Sequence, residues 1–277
     1  MPFVTVGEEN SGEIEIYYED HGRGKPAVLI HGFPLNGHSW EKQMLPLLGA
    51  GHRVITYDRR GFGRSSQPAF GYDYDSFAQD LNVLIEKLDL RSAALVGFSM
   101  GTGEVTRYLS NHGSERVSKA ALLAPVPPFL LKTPNNPAGV DRSVFDGFRE
   151  SIVSDRPAFM KVFLDDLYNV DILGSRRVSE QAWQLSFNVA VSASAKGTLD
   201  CVDAWLTDFR ADMPRIDVPT LVVQGTEDRI LPIDSTGRRL PALIEDVRYV
   251  EVAGGPNNIL WTHAEDVNRA LLGFLAE

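Results

Sequence analysis

The sequence predicts an α/β fold built around a mainly parallel sheet, and three observations carry that expectation. Short continuous apolar runs recur along the chain: Ala27-Val28-Leu29-Ile30, Val54-Ile55-Thr56-Tyr57, Ala93-Ala94-Leu95-Val96 and Thr220-Leu221-Val222-Val223. Such runs suit strands buried on both faces. Stretches with helical periodicity separate them; between Asp75 and Leu88 the apolar residues fall at positions 77, 81, 84, 85 and 88, one face of a helix. Finally, Gly97-Phe98-Ser99-Met100-Gly101 stands between an apolar run ending at Val96 and a helix-like stretch from Thr102 to Leu109. Buried strands joined by helical crossovers gather ligand-binding residues at the strands' C-terminal ends.

Taken in order, residues 3–7 and 13–20 alternate as half-buried strands do, with Glu8-Glu9-Asn10-Ser11-Gly12 supplying turn residues, so an antiparallel hairpin is expected at the N-terminus. The strand at 27–30 ends in His31-Gly32-Phe33-Pro34, and residues 39–48 read as helix before the strand Arg53 to Asp58. Arg59-Arg60-Gly61-Phe62-Gly63 then reads as a structural turn, because the third glycine of a dinucleotide-binding fingerprint is missing. Ser118 to Ala124 is a further strand. From Pro125 to about Pro214 no strand is evident; prolines at 127, 128, 134 and 137 lead into helical segments near 142–153 and 157–168. The expected organisation is therefore a core of residues 1–124 and 215–277 with a helical lid inserted at 125–214. The lid is rich in aromatic residues, and Phe129 and Trp205, with Ile230 and Asn258 from the core, are expected to line an apolar pocket. After the strand at 220–225 come Thr226-Glu227-Asp228-Arg229, a short helix at 234–243, a last strand at 247–252 and a closing helix from Trp261.

With 277 residues and a net charge of −10, the chain fits one large domain and is a poor partner for nucleic acid or an anionic membrane. A single cysteine, Cys201, excludes an internal disulfide framework, and no Cys/His cluster has zinc-ligand spacing. No run approaches the length of a membrane span, and the N-terminus lacks the pattern of a secretion signal. The expectation is a soluble cytoplasmic protein with no cofactor and no metal, acting on a small organic molecule; self-association as a homo-oligomer stays open.

The chemistry points to Ser99. Gly-x-Ser-x-Gly at a strand-to-helix junction is the nucleophile elbow of an α/β-hydrolase, which lifts the hydroxyl above the sheet on a strained turn. A serine hydroxyl needs a base within reach and a carboxylate to orient that base, in the chain order Ser, Asp, His. Asp228 follows a late strand and suits the acid. The loop after the final strand, Gly254-Gly255-Pro256-Asn257-Asn258, contains no histidine.

Gly97-Phe98-Ser99-Met100-Gly101-Thr102-Gly103-Glu104, His31-Gly32-Phe33-Pro34, Tyr57-Asp58-Arg59-Arg60-Gly61-Phe62-Gly63 and Trp261-Thr262-His263-Ala264-Glu265 closely resemble the bacterial cofactor-free haloperoxidases of the α/β-hydrolase superfamily, also described as perhydrolases and esterases. The resemblance runs nearly end to end. It implies Ser99 as nucleophile, Asp228 as acid, and the amides of Phe33 and Met100 as the oxyanion hole. It also implies an acyl-enzyme that water resolves to an acid, or hydrogen peroxide to a peracid. Counting back from Trp261 puts Asn257 in the place of the family's histidine and Asn258 in that of a glycine. A carboxamide has no useful basicity, so it cannot take the serine proton. His263 belongs to the closing helix, where packing or capping explains it; His31 beside the oxyanion loop reads as structural. Two readings follow: an enzyme with attenuated hydrolysis or a non-hydrolytic reaction on a small carbonyl compound, or a catalytically silent binding protein or disabled hydrolase.

Overall fold

The computed structural model describes residues 2–277. Its first half runs β1 (Phe3–Glu9), β2 (Gly12–His21), β3 (Pro26–Ile30), α1 (Glu41–Gly49), β4 (Arg53–Tyr57), α2 (Tyr74–Lys87), β5 (Ala93–Phe98), α3 (Met100–His112) and β6 (Val117–Leu123). Then come α4 (Arg142–Tyr168), α5 (Val170–Leu173), α6 (Glu180–Ser192), α7 (Ala195–Ala204), β7 (Thr220–Gly225), β8 (Val247–Val252), α8 (Ile259–Thr262) and α9 (Ala264–Ala276). The eight strands form one sheet in the order β1-β2-β4-β3-β5-β6-β7-β8. The β1–β2 and β2–β4 pairs are antiparallel and the rest parallel.

Every residue of β5 and β7 is buried, as expected of strands covered on both faces. Helices α1 and α9 pack together, as do α2 and α3, so amphipathic helices such as α2 turn Phe77, Leu81, Leu84 and Ile85 to the sheet. The strand order reverses at β3, which lies between β4 and β5. That reversal opens a crevice at the C-terminal edge, where the loops after β3 and β5 diverge.

Helices α4 to α7 follow β6 and precede β7, where strand–helix alternation stops in the sequence. Helix α4 bends at Asp155 (φ −154°, ψ 89°), whose Oδ1 accepts a bond from the amide of Ala158 at 3.0 Å. Asp155 thus caps a second arm, and Pro157 is tolerated because it sits in that arm's first turn. The two helical segments expected near 142–153 and 157–168 are these arms. Two other expectations shift. The helix expected at 234–243 is a 3-10 turn at Gly237–Ala242 with Pro241 inside it, and the closing helix divides into α8 and α9 at the non-helical His263 (φ −127°, ψ 40°). Among the described residues no helix is long and apolar enough to cross a membrane.

Candidate active site

Ser99 occupies the turn between β5 and α3 with φ 49° and ψ −118°, a conformation that costs a β-carbon residue about 1–3 kcal/mol and persists only when its surroundings enforce it. The enforcement is visible. The Ser99 amide donates to the carbonyl of Leu123 at 2.8 Å. A β-carbon at Gly97 would lie 2.6 Å from the Gly101 carbonyl oxygen, and one at Gly101 would lie 2.3 Å from that of Ile30. Both glycines are there because the start of α3 passes against the ends of β3 and β5 with no room for a side chain.

The Ser99 side chain faces a cavity of about 20 Å³ lined by Phe33, Met100, Phe148, Phe163, Trp205 and Ile230 among others. That is room for roughly one water molecule. The walls are aromatic: Trp205 meets Phe33 edge-on at 4.8 Å between centroids and stacks on Phe163 at 6.0 Å. Among the described residues, the main-chain amides of Phe33 and Met100 donate to no main-chain carbonyl. Met100 opens α3, so its free N–H adds to the partial positive charge of the helix N-terminus beside Ser99.

Asp228 lies just past β7. Its Oδ1 accepts the amides of Ile230 (3.0 Å) and Leu231 (2.8 Å), and its Oδ2 accepts Asn257 Nδ2 at 3.0 Å and Gln224 Nε2 at 3.4 Å. Burial pushes its carboxyl up to about 7, against the opposing pull of these N–H donors. The leading influences are burial and these donors, with no cation among them, and a cation is what an imidazolium would add. Asn257, fully buried, donates its side-chain nitrogen to Asp228, and among the described residues its Oδ1 finds no donor. A histidine placed here would donate one ring N–H to Asp228 and present a basic nitrogen on its other edge; the carboxamide presents a carbonyl oxygen.

Two of the expected pocket residues, Trp205 and Ile230, line the cavity over Ser99, and two do not. Phe129 packs under the Arg210 guanidinium, 4.9 Å from its ring centroid, while its neighbour Leu130 reaches the cavity; adjacent residues of an extended segment face opposite sides. Asn258 borders a separate small cavity with Asn36, Ser39 and Tyr168, its amide held by the Leu167 carbonyl. Neither His31 nor His263 is among the residues lining the Ser99 cavity. His31 Nε2 accepts the Arg59 amide at 3.0 Å while Nδ1 donates to the Gly32 carbonyl at 2.9 Å, and burial drives its pKa well down. His263 bonds Thr262 and borders an outer groove with Lys42, Arg177 and Trp261, away from the Ser99 cavity.

Phe145 and Phe163, two of the aromatics that make the lid segment rich in such residues, line the Ser99 cavity, and so does Phe148, which the sequence reading leaves unmarked although its i, i+3 spacing from Phe145 on a helix could have marked it. The sequence reading also passes over Gln224, buried at the end of β7, which bonds Asp228, the Leu231 carbonyl and Thr236 and accepts the amide of Gly237.

A family model described as the alpha/beta hydrolase fold matches residues 25–264. A Synechocystis sp. protein provisionally named a non-heme chloroperoxidase is 66% identical over 99% of this chain and 100% of its own. The bifunctional esterase/perhydrolase of Acinetobacter calcoaceticus is 34% identical over 99% of each chain. The crystal structure of a bromoperoxidase from Bacillus anthracis superposes with a TM-score of 0.96 at 44% identity, covering 99% of both chains. With this fold, this strand-to-helix serine and these relatives, the chain belongs to the α/β-hydrolase family, among its non-heme haloperoxidases, esterases and perhydrolases.

Proposed function

We propose that the protein is a serine acyl-transfer scaffold in which hydrolysis and perhydrolysis are strongly attenuated because the base between Ser99 and Asp228 is missing. The observation that carries this is the bond from Asn257 Nδ2 to Asp228 Oδ2. A side chain occupies the position next to the acid, and it has no basic nitrogen. The parts that this reading needs beside a base are a strained serine facing the cavity, the main-chain amides of Phe33 and Met100, which donate to no main-chain carbonyl among the described residues and would serve a developing oxyanion, and an apolar enclosure that would strengthen their electrostatics. Loss of the base from a comparable triad removes on the order of a million-fold of kcat, leaving oxyanion-hole and binding effects.

Asp228 is then a buried carboxyl with a pKa near neutrality at the position of the triad acid. Any residual proton transfer goes through it, directly or by a water in the cavity, which suits a reaction on a small carbonyl compound that forms no acyl-enzyme. A second reading, a binding scaffold without turnover, draws on the same missing base.

The test is p-nitrophenyl acetate hydrolysis. The unmodified protein should stay close to background. Asn257→His with Asn258→Gly should raise kcat by several orders of magnitude, with activity increasing through the histidine's titration and abolished again by Ser99→Ala. Robust turnover by the unmodified protein would overturn the reading, as would no recovery in the double substitution.

A further inference from the structure

A fully buried ion pair lies behind the candidate oxyanion hole. Arg59 and Glu104 are 1% and 0% exposed. Arg59 Nε donates to Glu104 Oε2 at 2.8 Å, and Tyr57 Oη donates to Glu104 Oε1. The guanidinium also donates through Nη2 to the main-chain carbonyl of His31 at 2.9 Å, while the Arg59 amide donates to His31 Nε2 at 3.0 Å. His31 in turn holds the carbonyl of Gly32. A continuous series of direct bonds therefore runs from Glu104 through Arg59 and His31 to Gly32, the residue before Phe33. Glu104 belongs to α3, the helix whose first residue is Met100.

We infer that Arg59 and Glu104 are positioning residues that set the separation of the Phe33 and Met100 amides in front of Ser99. The inference rests on the acyl-transfer reading above and names what holds its two donors together. One donor belongs to the loop after β3 and the other to α3, and the two segments are remote in sequence. Contact alone fixes how closely α3 approaches the loop, since a β-carbon at Gly101 would strike the carbonyls of Ile30 and His31. It does not fix the loop's rotation about that contact. The guanidinium on the His31 carbonyl and the Arg59 amide on the His31 ring grip the loop from two directions and tie it to the helix. Two charges out of water are a costly way to fill space, and apolar residues of similar volume are often equally or more stabilising. Directional bonds are what an apolar pair would not supply.

The test separates positioning from packing. In the protein carrying Asn257→His and Asn258→Gly, the triple substitution Tyr57→Phe, Arg59→Met and Glu104→Leu exchanges the buried polar cluster for apolar groups of similar size. The fold should survive, with kcat for p-nitrophenyl acetate down about tenfold to a hundredfold and KM changed by less than about threefold. In the otherwise unmodified protein, butaneboronic acid reports on the hole without any base. Its boron accepts the Ser99 oxygen, the hydroxyl proton leaves to solvent, and the tetrahedral boronate presents an oxygen to the two amides. The same triple substitution should weaken its Kd by about tenfold.

Unchanged kcat and unchanged boronate affinity in a folded triple variant would overturn the inference. If that variant does not fold, Glu104→Gln, which keeps the size of the side chain, carries the same two outcomes through the boronate Kd. Absence of both turnover and boronate binding with Tyr57, Arg59 and Glu104 intact would instead overturn the acyl-transfer reading, and this inference with it.

Discussion

At the scale of single residues, the site turns on what Asn257 does to Asp228. A histidine there becomes cationic during catalysis and keeps the acid ionised; an amide donates one hydrogen bond and adds no charge. Asp228 is therefore left with burial as its largest influence and a carboxyl raised to about 7, above an ordinary value near 3.9. The folded protein holds a proton that the unfolded chain has already released. Stability from the protonated acid is complete below about pH 4 and is lost as the pH rises to about 7. Asp228→Asn should remove that loss, so its stability relative to the unmodified protein should climb between pH 4 and 7 by a few kcal/mol, on the order set by the shift. Urea unfolding at several pH values checks this, and a difference independent of pH would refute it. Asn257→His should flatten the same dependence by supplying the missing cation. The placement of Ser99 in the turn after β5 was legible from its motif, and that of Asp228 past β7 from chain order; the position of Asn257 beside Asp228 was legible by counting back from Trp261. Arg59 and Glu104 were not. Charged residues are seldom fully buried without a partner, and here the partners are 45 positions apart, on a segment that reads as a turn and on a helix.

At the scale of elements, the elbow is a close approach of three segments, and its glycines are the price of that geometry. Gly101→Ala would drive a β-carbon to 2.3 Å from the Ile30 carbonyl oxygen. Backbone on both sides leaves no flexible side chain to yield, so a loss of about 1–3 kcal/mol is expected, with displacement of α3 from β3. Thermal denaturation gives the stability. Tm falling while restored esterase kcat stays unchanged would show that α3 need not sit there for catalysis. The bend in α4 tests a milder expectation. Asp155→Ala removes the cap on the second arm and should cost about 1 kcal/mol, because Ala158's amide loses its acceptor. Strands and crossovers were readable from apolar runs, since burial on both faces leaves a continuous signature. The boundary near 234–243 was not, because a 3-10 turn and a short helix share local composition and differ in hydrogen-bond register, which the sequence does not display.

At the scale of the whole molecule, sheet, inserted helices and net charge set an expectation for the substrate that the proposed function would take. The sheet brings Ser99 and Asp228 to one edge, while the segment between β6 and β7 supplies Phe145, Phe148 and Phe163 from α4 and Trp205 from the end of α7 to the wall above the serine. Among the described residues no charged side chain lines that cavity, and the chain as a whole carries a charge of −10. An anionic substrate would be repelled in approach and left without a cationic partner on arrival, and an unpaired charge in an apolar enclosure is strongly disfavoured. A neutral ester meets neither obstacle, and the close aromatic packing over Ser99 would have to yield less for a short acyl group than for a long one. In the protein with Asn257→His and Asn258→Gly, p-nitrophenyl acetate should therefore exceed p-nitrophenyl octanoate in kcat/KM, and p-nitrophenyl phosphate should show no turnover. Trp205→Ala should narrow the gap between the two esters by enlarging the cavity, at a stability loss of about 3–5 kcal/mol. A steady-state comparison of the three substrates in the parent and Trp205→Ala proteins decides it. A preference for the phosphoester would mean that charge rather than apolar shape governs entry, and an octanoate preference before Trp205 is removed would mean that the wall opens further than its aromatic packing implies.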